Sequence, residues 1–242
     1  MTEGCDDTDD TGASGARPAG PPRSGVGEVR PLRSDDVEAA ARLLARAFVQ
    51  DPITAAALPD PGDRQRVLAR FMAHEVRTAL PSATVEGIEV AGELAGVALW
   101  YPPEATPRSL PATLRLAREL VEEVPTLLPA APRLLGTLAR DLTALSRQVT
   151  QRQGAFQRAG QPPATYLALL ATDPEHRGRG LARRLLEPTL GTCDADGVAV
   201  WLHTTDPVNL GFYARFGFRC LERIPGGRAI ADLWVLRREP RT

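Results

Sequence analysis

Tyr166-Leu167-Ala168-Leu169-Leu170-Ala171-Thr172-Asp173-Pro174-Glu175-His176-Arg177-Gly178-Arg179-Gly180-Leu181-Ala182 runs from a nearly unbroken apolar segment into a glycine-rich turn. The apolar part is too short to cross a membrane and stops at Thr172-Asp173-Pro174, so it reads as a central strand buried on both faces. Beyond the turn, Leu181, Leu185, Leu186 and Leu190 recur at helical spacing. A glycine turn therefore leads out of a strand and opens a helix. The first N–H groups of a helix lack partners within it, the macrodipole places partial positive charge there, and glycine lets a bulky anion come close to the main chain. The stretch is suited to cradling a pyrophosphate.

Two other phosphate loops fail at a required residue. A Walker loop needs lysine after its last glycine, and all 29 basic residues of this chain are arginine. A dinucleotide fingerprint needs glycine where Arg183 stands. The same lack of lysine excludes Schiff-base chemistry on a protein amine.

A second constellation follows. Val198 to His203 reads as another buried strand, and after Thr204-Thr205-Asp206-Pro207 come Asn209, Phe212-Tyr213 and Gly217-Phe218. With these residues on the page, the chain resembles the GNAT superfamily of acyl-CoA-dependent acyltransferases. The family's Gln/Arg-x-x-Gly-x-Gly/Ala turn is matched at Gly178 and Gly180, with Glu175 where glutamine or arginine is usual. The family's Asn, Phe-Tyr and Gly-Phe signature is matched in order. Within the superfamily the chain is most similar to the puromycin N-acetyltransferase group and its actinobacterial relatives. It shares with them the flavour of an Asp-Asp-Val helix, a Pro-x-His-x-Gly-x-Gly-Leu turn and Pro188.

The resemblance implies an α/β (α+β) GNAT fold, a mixed central sheet splayed between the two motif strands, with an extra helical insert. It implies that pantetheine threads into the splay along Leu170, Ala171 and Thr172. The pyrophosphate would sit on the amides of Arg177, Gly178, Arg179, Gly180, Leu181 and Ala182, with Asn209 and Phe212 flanking the cofactor. Tyr213 matches the tyrosine that protonates the departing sulfur, and a phenol can donate such a bond. Asp206-Pro207 also makes a turn or capping role credible for Asn209.

An attacking amine must lose a proton near the splay, and His203, ending an apolar strand, is the first candidate base. Its imidazole, with an unperturbed pKa near 6.5, suits that role at neutrality. Water or a carboxylate is the competing base, and a satisfied structural histidine is the competing reading of His203.

Outward from the motifs, residues 1–27 are acidic and rich in Gly, Pro and Ser, as expected for a disordered tail. Residues 28–240 then form one domain. Val29 to Leu32 predicts a strand, and Asp35 and Glu38 stand at capping-box spacing before a helix carrying Val37, Ala41, Leu44 and Phe48. Asp63 to Ala79 predicts a second helix, and Ala83 to Tyr101 a hairpin turning at Gly92. The leucine-rich insert at about 108–152, broken at Pro125, Pro129 and Pro132, predicts two helices with an elbow between them.

Composition narrows the function. A net charge of −1 gives no global pull toward nucleic acid, so any anion site must be local. Cys5, Cys193 and Cys220 are too scattered for a zinc site or a disulfide framework and read as two core residues and one tail thiol. The start of the chain carries no apolar segment behind a basic one, so a cytoplasmic, non-membrane protein is expected.

These readings converge on transfer of an acetyl group from acetyl-CoA, or another acyl-CoA, to the amine of a small molecule, in a ternary complex and with no metal. Acylation of a peptide or protein amine, a longer acyl donor, and a noncatalytic CoA-binding module stay open. A homodimer is possible.

Overall fold

The computed structural model describes residues 25–51, 54–55, 60–105, 164–225 and 232–241. The insert at 108–152 and the tail up to residue 24 lie outside the described residues. In chain order the elements are β1 (Arg30–Pro31), a 3-10 turn (Ser34–Asp36), α1 (Val37–Phe48), α2 (Pro61–Ala79), β2 (Thr84–Val90), β3 (Glu93–Tyr101) and β4 (Ala164–Thr172). A second 3-10 turn (Pro174–His176), α3 (Leu181–Ala195), β5 (Ala199–Thr204), α4 (Val208–Ala214), β6 (Arg219–Ile224) and β7 (Leu233–Arg238) complete them.

The strands form one seven-stranded sheet in the order β1-β2-β3-β4-β5-β7-β6. Among the described residues only β4 and β5 run parallel, joined through α3; the other neighbours are antiparallel. Strand alternation sends side chains to two cores. On one face Val85, Val97, Leu99, Tyr166, Trp201 and Val235 pack under α1 and α2. On the other, Ala98, Trp100, Leu167, Leu202 and Leu236 pack under α3 and α4. Gly96 lets α3 lie close, since a Cβ there would meet Leu185 Cδ1 at 2.9 Å.

Two local expectations change. The carboxylate that caps the first turn is Asp36, which accepts the Arg33 N–H at 2.8 Å, whereas Glu38 reaches across to Arg77 at 3.0 Å. The 3-10 turn shifts the helix start, so Asp35 and Glu38 no longer stand at capping positions. Cys193 is buried against Thr165 as a core residue, but Cys220 is exposed, because it lies on the edge strand β6.

The decisive feature of the sheet is where β4 and β5 part. Their pairing runs from Ala164↔Ala199 to Leu167↔Leu202 and stops. Beyond it β4 stays with β3 as far as Thr172↔Gly96, and β5 stays with β7 through Thr204↔Trp234. A bulge marks the parting: Leu99 pairs with Leu169 and Trp100 with Leu167, leaving Ala168 as an extra residue in β4. Ala168 and Leu169 consequently both pack against the α1/α2 core, and Leu170 turns to the α3/α4 side. Burial runs from Thr165 to Leu167 and returns at Ala171; Ala168, Leu169 and Leu170 between them are partly exposed, contrary to the expectation of burial throughout.

Candidate active site

The turn after β4 is built around two left-handed glycines. Gly178 has φ +77° and Gly180, the N-cap of α3, has φ +77° and ψ +13°. Nothing of the protein lies within 4 Å of a Cβ placed at either position, so the backbone conformation rather than crowding calls for glycine. Helical bonding starts with Arg184 N–H to the Gly180 carbonyl at 3.1 Å. Among the described residues, the N–H groups from Gly178 through Arg183 have no acceptor. That is a row of free donors at the positive end of a 15-residue helix.

The turn is fixed from below by Asp173. This residue is 5% exposed, accepts the Glu175 N–H at 3.0 Å, and is paired with Arg46 of α1 through Nε at 3.1 Å and through Nη2. Against the penalty of burial, the Arg46 guanidinium and the Glu175 N–H hold the Asp173 carboxyl below the usual carboxylate range. Nothing in the local pattern of α1 singles out Arg46, which reads as one more polar residue on an amphipathic helix.

A cleft of about 1040 Å³ connects the turn to the splay. Leu170, Ala171 and Thr172 line it, as do Arg177, Gly178, Gly180, Leu181 and Ala182 from the turn and Asn209, Phe212 and Tyr213 from α4. Arg179 is exposed and lies outside that lining. The end of α1 contributes Ala47, Phe48 and Asp51, which sequence reasoning missed. Asp51 accepts the Thr205 hydroxyl at 2.8 Å, bridging α1 to the β5–α4 loop.

Tyr213 is 8% exposed and held edge-on by Phe212 and Phe218, with ring centroids 5.2 and 5.7 Å away. Burial raises its pKa well above the usual phenol range, so it stays protonated through the working range of pH. Among the described residues no group hydrogen-bonds its hydroxyl, which leaves the proton for a ligand. Asn209 donates from Nδ2 to Thr204 Oγ1 at 3.1 Å, and Asp206 Oδ1 accepts the Val208 N–H at 3.0 Å. Asn209 thus braces the β5–α4 turn while bordering the cleft.

His203 stands one residue past the last β4–β5 pair, at the lip of the splay and on the α1/α2 side. It is not among the residues lining the cleft. Its ring stacks on Tyr166 at 5.8 Å, and its Nδ1 lies 3.0 Å from the Tyr166 hydroxyl. Tyr166 in turn stacks on Trp201 at 4.0 Å. Burial pushes the His203 pKa down to about 4, so the imidazole is neutral at pH 7 and a weaker base than the unperturbed value implied.

With this geometry described, the chain can be set beside known proteins. The family model described as "Acetyltransferase (GNAT) family" matches residues 139–218, the segment holding β4, the glycine turn, β5 and α4. Solved structures with the same architecture include the histone acetyltransferase HPA2 and related acetyltransferase from Corynebacterium glutamicum, with TM-score 0.58 and 18% identity over 89% of this chain and 97% of that one. This chain has the GNAT fold. The polyamine N-acetyltransferase of Drosophila melanogaster has TM-score 0.55 and 18% identity over 88% of this chain and 99% of its own. A mosquito arylalkylamine N-acetyltransferase like 5b has TM-score 0.55 and 17% identity over 88% and 99%. Family model and structures together support the GNAT superfamily, and they do not single out the puromycin group. Among the described residues no helix is long and apolar enough to cross a membrane.

Proposed function

We propose that this chain is an N-acyltransferase that moves an acetyl group from acetyl-CoA to the amine of a small molecule. The observation that carries the reading is the meeting, in one cleft, of the free edge of β4 and the unpartnered amides of the glycine turn. An extended amide-bearing chain that ends in a pyrophosphate fits both: its amides can pair with β4 as an added strand would, while its phosphates take the N-terminus of α3. Pantetheine joined to a nucleotide has that composition. The proposed contacts are Leu170, Ala171 and Thr172 for pantetheine and the amides from Gly178 to Ala182 for pyrophosphate, the Arg177 N–H being engaged by the Pro174 carbonyl at 3.5 Å, with Asn209 and Phe212 beside them and Arg179 at the exposed rim.

The reaction is direct transfer. The neutral amine attacks the thioester carbonyl, its N–C bond forms, the C–S bond breaks, and the leaving sulfur takes the proton of the Tyr213 hydroxyl. The amine's own proton leaves to water, because His203, the first candidate base, lies outside the cleft lining and burial, which lowers its pKa to about 4, makes it a weak acceptor. Two fold relatives named for polyamine and arylalkylamine substrates favour a small amine as acceptor.

Release of free thiol from acetyl-CoA against a panel of aminonucleosides, aminoglycosides, polyamines, arylalkylamines and peptides tests the reading, with the acylated product identified by mass. Acceptor-dependent release with a small amine is expected. Release with peptides alone would move the acceptor to a protein, and CoA binding with no release against any acceptor would leave a binding module.

A further inference from the structure

The last residue of β7, Arg238, is a buried guanidinium, 3% exposed, whose donors are divided between two elements. Its terminal nitrogens grip the Asp194 carboxylate in the last turn of α3, at 2.7 and 2.6 Å, and Asp194 also accepts the Arg241 N–H at 2.7 Å. Its Nε donates to the Phe216 carbonyl, just past the end of α4, at 2.9 Å. A buried ion pair is a poor route to stability, because desolvation offsets the attraction and an apolar pair of like volume would serve as well. What the guanidinium adds is a further donor, held in the plane of its fork and spent on a main-chain oxygen.

That oxygen belongs to the turn that carries Tyr213. With seven residues, α4 is too short to stay helical by its own bonding, so its place depends on its anchors. Past Tyr213 the chain doubles back. The N–H groups of Phe216 and Phe218 both donate to the Tyr213 carbonyl, at 3.0 and 3.3 Å, and Gly217, with φ +91°, makes the return between them. This return sets the Phe218 ring edge-on to Tyr213 and brings the Phe216 ring to 5.1 Å from Phe212, the second ring against Tyr213. Arg238 therefore holds the peptide from which both contacts of the Tyr213 ring are hung.

Resting on the reading of Tyr213 as the proton donor, we propose that Arg238 is a positioning residue for it. By fixing the Phe216 carbonyl, Arg238 sets where the phenol lies in the cleft and keeps its hydroxyl within reach of the leaving sulfur. Misplacing that hydroxyl by about 1 Å would slow transfer on the order of 100-fold.

Tyrosine enriched in the NMR-active carbon isotope at Cζ tests this in the full chain. There are three tyrosines, each resonance is assigned by its Tyr→Phe variant, and Tyr101 in the opposite core serves as reference. Spectra are taken without CoA and at saturating CoA, so that a change of affinity does not enter. The proteins compared are the wild type, Arg238→Lys, and the double variant Arg238→Met, Asp194→Leu. Lysine keeps a charge beside Asp194 but brings a single nitrogen in place of the fork. The double variant loses the same bond to Phe216 and leaves neither charge buried, so it should fold even if the lysine variant does not, as thermal melts will verify. In the wild type, CoA should move the Tyr213 resonance and leave that of Tyr101 in place. In each folded variant that movement should shrink at least about twofold. A purely stabilising Arg238 would alter Tm and leave the Tyr213 response whole; that result would overturn the proposal and leave the reading of Tyr213 standing. A wild-type Tyr213 resonance indifferent to bound CoA would overturn both, and absence of CoA binding would overturn the donor reading with them.

Discussion

The two halves of β4 are alike in composition and opposite in surroundings. Ala164 to Leu167 pair with β5, Tyr166 and Leu167 pair with β3 as well, and Thr165, Tyr166 and Leu167 are buried. Leu169 to Thr172 keep β3 and lose β5, and Leu170, Ala171 and Thr172 border the cleft. The second half carries no polar residue until Thr172, so nothing in its side chains makes it a binding surface. What makes it one is the departure of a neighbour, which leaves main-chain donors and acceptors that must find a partner. In this chain the first half is packed into the sheet and the second half offers the edge proposed for recognition.

Deleting Ala168 attacks that difference most directly. Without the extra residue, one side of the bulge must slip by one position, exchanging the faces of Tyr166 and Leu167 or of Leu169 and Leu170. The expected outcome is loss of cooperative folding, read by thermal melting; a stable, CoA-binding deletion variant would break the comparison.

Gly178→Asp comes next in size. It sets a carboxylate among the free amides, where the proposed pyrophosphate lies, and should weaken CoA binding about 100-fold, some 2.7 kcal/mol. Gly178→Asn, which tolerates positive φ and carries no charge, should lose far less and so separates repulsion from strain.

Tyr213→Phe sharpens the division of labour. The ring contacts with Phe212 and Phe218 survive while the proton donor is gone, so kcat should fall roughly 10- to 100-fold with the Kd for CoA little changed. A variant with unchanged kcat would remove Tyr213 from the chemistry.

The smallest effect is expected at His203. Its folded pKa, about 4, lies below its unfolded value, so protonation favours the unfolded chain. The stability that depends on keeping it neutral is complete above about pH 6.5 and is lost as the pH falls through about 4. His203→Gln should therefore flatten the decline of Tm between pH 7 and 4.5; an unaltered slope would mean that the ring is solvated.

Much of this was legible in the sequence, because the informative features are local. Gly178 and Gly180 announce a backbone conformation, the leucines of α3 a helical face, and the hairpin at Gly92 a turn. What escaped is what depends on register. The bulge at Ala168 leaves no mark in a run of alanine and leucine. The stacking of Tyr166 on Trp201 and His203 requires knowing that Tyr166 sits opposite Trp201, 35 positions along the chain. That stack is also why the His203 pKa expected from the free side chain does not hold. Arg46 and Asp173 are 127 residues apart, and no spacing rule links them. Asp51, three residues past α1, meets Thr205 only through the fold.

The strut between Arg46 and Asp173 ties the end of α1 to the turn proposed to hold the donor. Arg46 lies in the last turn of α1, whose next residues, Ala47 and Phe48, border the cleft, while Asp173 fixes the turn proposed to grip the donor. A ligand that displaced the end of α1 would therefore be expected to disturb the turn through Asp173. Thermodynamic linkage makes that influence mutual, with each substrate changing the other's affinity by the same factor. Any cooperativity between the two proposed substrate sites would thus run through a single ion pair.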